Sequence, residues 1–507
     1  VIDTSIPALL SHFSATEATV PLINPANGKR ITDVPQQSAE TVVAAIDRLR
    51  DHAAAWAATD VRERAAIISR VHDVMLENQD KLLDVLQLET GKSRAHAFEE
   101  FAGTTAPARY YGKHAAKFMA RKKTGGGVPV VTRTWVEHDP IGVVGIITPW
   151  NYPMALTALD VLPALAAGNV VIQKADNQTP LSVLFCRLMA IEAGLPEDVW
   201  TIVIGDGATV GNAITDNVDY VAFTGSTNTG RAVAERASRR LIGYSLELGG
   251  KNPMIVLEGA NPATAAELTL AAAFGSAGQL CVSTERVYVH NSIRERYIAE
   301  VVERTASLTL GKTGEFDTDL GTLTSKAQFD RVSSIIEDAK DHGAKVLTGG
   351  TGAPELGPFF FRPTVITELD ESARLYRNEA FGPIIAVEGF DDIEDAIAKA
   401  NDTEFGLNAS VVGPERAAIK VASRLNAGSV NVNEGYRASF ASMGSPMGGM
   451  KSSGIGRRNG EYGMLRYTTI RTIGVAKSWF KLPTRGKQYR RMAPIMRVLS
   501  KFLKNFG

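Results

Sequence analysis

The chain has 507 residues, more than one hydrophobic core can hold, because cores stop growing near ~250–300 residues, so at least two domains are expected. Hydrophobic residues make up 44% and charged residues 22%, which excludes a disordered or fibrous chain. Lys plus Arg and Asp plus Glu balance at 55 each, so no global field gathers nucleic acid, and a nucleic-acid partner is not expected.

The region 39–120 reads as helices. In ETVVAAIDRLRDHAAAW and in RERAAIISRVHDVMLENQDKLLDVLQLETG, apolar positions recur at threes and fours. Gly125–Gly127 then open an alternating stretch, VPVVTRTWVEHDP, with the pattern of an exposed antiparallel hairpin. From residue 141 short apolar runs alternate with helical ones. IGVVGIITPW, NVVIQKA, WTIVIG and YVAFTGS read as buried strands, with a helix over about 153–167. A second set follows: NPMIVL, RVYVH, PTVITEL, PIIAVEGF and SVNVN, with a long helix from Ser292. Strand–helix–strand units at this spacing predict parallel sheets, and therefore two doubly wound α/β domains divided near residue 250.

The two cysteines cannot build a disulfide framework and fit a reducing compartment. Neither a signal-peptide pattern nor an apolar run of about 18 residues is present, so a cytoplasmic location is expected. The eight histidines are scattered, without the helical i, i+4 pairing, and no CxxC occurs, so no metal site is expected.

Cys281 lies in FGSAGQLC, among small or polar residues that leave room for an approaching molecule. A cysteine attacks as the thiolate and needs a base or positive potential. Glu247, in LELGGKNP, is the candidate base, its two following glycines leaving space beside the carboxylate; an ordinary surface ion pair is the plain alternative. Asn151, in ITPWNYP, sits just past a buried strand, where parallel sheets bind ligands, and its amide can face a developing oxyanion; alone, such an Asn is usually a turn former. In FTGSTNTG, Gly225 and Ser226 lead into a helix whose free N–H groups suit a phosphate. Cys186, inside the helical pattern LSVLFCRLMAIEAG, reads as a buried, inert thiol.

Taken in order, ITPWNYP, QKADNQTP, FTGSTNTG, LELGGKNP, FGSAGQLC, NEAFGP and PMGGMKSSGIGRRNGEYG resemble the aldehyde dehydrogenase superfamily. The resemblance runs from NPANGK near residue 24 to YTTIRTI near residue 473 and is most specific in the 34-residue step from Glu247 to Cys281. It implies a Rossmann-like cofactor domain over 1–124 and 141–249, a catalytic domain over 250–450, and an oligomerisation element over 125–140 and 466–477. A homodimer or dimer of dimers is therefore expected. By resemblance, Cys281 is the nucleophile, Glu247 activates the hydrolytic water, and the Asn151 amide with the Cys281 N–H holds the oxyanion. Trp150, Lys174, Asn177, Gly225, Ser226, Glu379 and Phe381 are the implied cofactor contacts. The resemblance places a glutamate at position 177 in many NAD-preferring members, and the neutral Asn177 points to NADP, with NAD also accepted.

The pattern is most similar to bacterial succinate-semialdehyde dehydrogenases, which implies succinate semialdehyde as substrate. Two arginines that hold the substrate carboxylate in that group are replaced here by Gly275 and Leu159, and Ser283 stands where some carry a second cysteine. Either another cation serves, Arg437 in EGYRASF being a candidate, or the substrate is a less polar aldehyde. From Lys477 to Gly507 there are nine Lys or Arg and no Asp or Glu. Ile495, Val498, Leu499, Phe502, Leu503 and Phe506 fall at helical spacing opposite Arg497, Lys501 and Lys504, the pattern of an interfacial membrane helix or of a helix docked on protein.

Overall fold

Ser38 and Asp60 begin the first long helices by accepting the backbone N–H of Thr41 and Arg62. The helices run Ala39–Ala58, Val61–Glu77, Gln79–Thr90 and Arg94–Phe118, and each buries its apolar stripe. Gly91 ends the third at φ 72°, the left-handed turn that glycine adopts without a Cβ penalty. The computed structural model describes residues 5–13, 18–127, 131–311, 314–479, 481 and 483–504.

Two sheets carry the active regions of one compact unit, Val1–Phe118 with Pro140–Thr468. The first has six strands in the order Gly454–Ile455, Gly243–Glu247, Tyr220–Thr224, Val143–Ile147, Val170–Lys174 and Trp200–Val203. All neighbours are parallel except Gly454–Ile455. The central strands are buried throughout, which explains their unbroken apolar runs. The second sheet has seven strands, in the order Lys345–Thr348, Thr364–Thr367, Ile384–Phe390, Thr284–His290, Asn252–Val256, Asn408–Val412 and Ser429–Val432. Only Lys345–Thr348 runs antiparallel. These are the two parallel α/β sheets expected, with the second enlarged by Asn408–Val412 and Lys345–Thr348, which periodicity did not single out.

The second unit comprises Met119–Asp139 and Thr469–Gly507. Its strands order as Thr468–Ala476, Thr132–Pro140 and Lys122–Thr124, the last pair antiparallel, so the alternating stretch supplies one arm of the hairpin and Lys122–Thr124, ahead of it, the other. Arg471 bridges Glu137 and Asp139 across it. The helix Gly486–Leu503 follows. Residues 128–130 of the alternating stretch, and Phe506 of the tail, lie outside the described residues.

Candidate active site

A cleft of about 860 Å³ opens at the carboxyl ends of the first sheet's strands, where doubly wound sheets bind ligands. Trp150, Asn151, Lys174, Gly225, Ser226, Glu247, Cys281, Glu379 and Phe381 all line it. Nine of the ten site residues expected from sequence therefore share one cavity. Asn177 is the exception. Its amide donates to Gln36 and accepts from the N–H of Gly205 at 3.1 Å, while Asp176 takes the cleft wall beside Lys174.

Each side chain is placed by its local fold. Ser226 caps the helix Thr227–Arg239 by accepting from Thr229, leaving the N-terminal turn facing the cleft. The Gly225 N–H donates to the Glu247 carbonyl at 3.1 Å, which ties this turn to the end of strand Gly243–Glu247. A Cβ on Gly249 would stand 2.7 Å from Glu379 Oε2, so only glycine lets that carboxylate in. The Gly250 N–H donates to Glu379 Oε1 at 2.9 Å. Phe381, at φ 55°, meets Trp150 edge-on, with centroids 5.6 Å apart.

The support behind Cys281 was not visible in sequence. Asn252 Nδ2 donates to the carbonyls of Cys281, at 2.8 Å, and Ser283, at 2.7 Å. Asn408 donates to Val282 and Gly435, and its backbone N–H reaches Asn252 Oδ1. Glu285 accepts from the N–H groups of Ala380 and Phe381 and pairs with buried Lys251 at 2.6 Å, fixing the loop that carries Glu379. An Asn or Glu inside a strand gives no periodic signal, so the NP of LELGGKNP and the ER of STER hid these roles.

Electrostatics separate the two reactive groups. Burial raises the Glu247 carboxyl to about 7, against the opposing pull of Arg458 and Arg466, and its buried Oε1 has no protein partner. Burial, then Glu379 and Glu247, raise the half-buried Cys281 thiol to about 12. Cys186 is fully buried, and burial pushes its thiol far above the usual range. Asn151 Nδ2 donates to the Gln279 carbonyl at 2.9 Å, which leaves its second amide hydrogen for another acceptor.

Of positions 159, 275 and 437, none offers an unpaired cation. Leu159 is buried in the helix Pro153–Ala166. A Cβ on Gly275 would stand 2.9 Å from the Tyr436 hydroxyl. Arg437 pairs with Glu99 at 3.1 Å, and Tyr436 donates to the same carboxylate.

A cleft at parallel strand ends, shared by a thiol and a buried carboxylate, is the arrangement of an α/β enzyme that works through a covalent cysteine adduct. Residues 12–473 match the model of the aldehyde dehydrogenase family, and the chain belongs to that family. It is 46% identical, over 94% of its length and 93% of the relative's, to a Mycolicibacterium smegmatis protein provisionally named an NADP(+) succinate-semialdehyde dehydrogenase. An Escherichia coli NADP-dependent enzyme superposes with a TM-score of 0.87 at 34% identity, covering 91% of this chain and 95% of that one. The NAD+ complex of a Bacillus cereus aldehyde dehydrogenase gives 0.86 at 33% identity, covering 90% and 93%.

Proposed function

We propose that this protein oxidises succinate semialdehyde to the acid with NADP, accepting NAD as well, through a thioester on Cys281. The observation that carries the reading is the shared cleft of Cys281, Glu247, Asn151 and the nucleotide-facing residues Lys174, Ser226 and Glu379.

The residues fit a dinucleotide: a capped helix start for phosphate, Lys174 and Asp176 for a ribose, and the Glu379 carboxylate for the second ribose. When bound, the nicotinamide supplies the hydride acceptor. Glu247 takes the thiol proton directly or through water, and sulfur adds to the aldehyde carbon. The free amide hydrogen of Asn151 and the Cys281 N–H steady the oxygen that gains charge. As the C=O bond re-forms, hydride leaves that carbon and a thioester remains. Once Glu247 has passed the first proton to solvent, it takes a second from water as the water oxygen attacks the thioester. The C–S bond breaks, the acid departs, and the thiol returns.

The relatives' names support NADP; Asn177, its amide taken by Gln36 and Gly205, no longer bears on that choice. Asp176 on the cleft wall favours ribose hydroxyls and supports NAD as the second acceptor. Steady-state kinetics with both cofactors decides: a tenfold preference for NAD would overturn the NADP assignment.

A second reading, oxidation of lipophilic or aromatic aldehydes, rests on Gly275, Leu159 and the pairing of Arg437 with Glu99. A carboxylate without a cationic partner is poorly held in a cleft. An aldehyde panel from succinate semialdehyde to long-chain and aromatic aldehydes separates the two by kcat/KM. The enzyme is proposed to work in the cytoplasm as a homodimer or dimer of dimers built through its second unit, with the basic tail in peripheral contact with a membrane.

A further inference from the structure

We infer that the helix Gly486–Leu503 lies in the plane of an anionic bilayer surface and holds the enzyme there. This deepens the peripheral-contact part of the proposed function and does not depend on which aldehyde is oxidised.

Charge is the first observation. The chain is neutral overall, yet Lys477–Gly507 holds nine Lys or Arg and no Asp or Glu, so the remainder carries a matching acidic excess. An anionic surface would repel that remainder and attract this segment alone. The family match ends at residue 473, so the segment lies beyond the shared catalytic fold.

The helix's shape is the second. At 100° per residue, Met492, Ile495, Val498, Leu499, Phe502 and Leu503 share one arc, which Arg491 interrupts, while Arg490, Arg497 and Lys501 share the other, with Lys504 capping the helix end. The helix buries none of its residues; Ile495 is 66% exposed, Val498 69% and Phe502 58%. Trp479 and Tyr489 are exposed nearby, the aromatic types that settle at the headgroup level. Among the described residues no helix is long and apolar enough to cross a membrane, so this one would lie on the surface. An anionic bilayer answers both arcs at once, acyl chains under one and phosphates beside the other.

The test is co-sedimentation of the full chain, and of a chain truncated after Lys477, with two vesicle preparations. One is equal parts phosphatidylglycerol and phosphatidylcholine, the other phosphatidylcholine alone. The full chain is expected to pellet with the anionic vesicles roughly tenfold more than the truncated chain, and less as salt rises. A full-length variant carrying Ile495→Ser, Val498→Ser and Phe502→Ser is expected to lose most of this binding while keeping its charge. Equal pelleting of full and truncated chains overturns the inference. So does a tail that serves only self-association, seen as a lower solution mass on truncation with no lipid binding by the full chain. Aldehyde oxidation by the truncated chain is read separately: its absence from both chains would sink the catalytic reading and leave the lipid result standing.

Discussion

The side-chain amide of Asn252 holds the backbone carbonyl of Cys281 at 2.8 Å, so the residue that aims the thiol stands 29 positions before it. Asn252→Ala leaves the buried carbonyls of Cys281 and Ser283 and the N–H of Asn408 without this partner. Each such loss costs about 1–3 kcal/mol. The expected outcome is a fall in kcat of about tenfold or more, with stability reduced but the fold retained. Rates and urea midpoints of the purified variant check it; unchanged kcat would show that the loop holds its own geometry.

Glu247 sets the pH profile. Below about 7 its carboxyl is protonated and cannot take a proton, so thioester hydrolysis should fall about tenfold per pH unit there. Above about 7 the rate should level. Glu247→Gln should remove this limb and slow both thioester formation and hydrolysis, with the thioester that does form persisting, detected by mass spectrometry of the quenched enzyme. The same burial works against folding at higher pH. A raised carboxyl contributes fully at acid pH, and that contribution is lost as pH climbs from the ordinary 4.5 through about 7.

Glu379 is the first charge, after burial, that raises the Cys281 thiol. Without cofactor, Glu379→Gln should lower that value and speed alkylation by iodoacetamide several-fold at pH 9, above the value of about 8 to which burial raises Glu379, because the thiolate is the reactive form. Labelling should map to Cys281, with buried Cys186 unmodified. An unchanged alkylation rate would mean that burial alone suppresses the thiolate.

Buried Asp160 accepts from buried Arg458 at 2.9 Å and also pairs with the partly buried Arg466. Asp160→Ala strands the buried Arg458 guanidinium and the partly buried Arg466, and should cost about 3–5 kcal/mol. Urea unfolding of the variant checks this. A loss below about 1 kcal/mol would show that water or a repacked carboxylate takes over.

The sequence determined the parallel α/β sheets, because strands buried on both faces must be apolar throughout. It also determined which residues would meet in the cleft, because short motifs fix turns and helix starts within a few residues. What it could not determine was set by distant partners. Position 177 read as a cofactor contact, yet its amide is taken by Gln36 and Gly205, and the neighbouring Asp176 faces the cleft. Arg437 read as a free cation for a substrate carboxylate, yet Glu99, 338 positions away, already neutralises it. Asn252, Asn408 and Glu285 read as ordinary strand residues until folding set each against a backbone otherwise buried without a partner. A hydrogen bond or an ion pair belongs to two positions at once, and only the tertiary structure names the second.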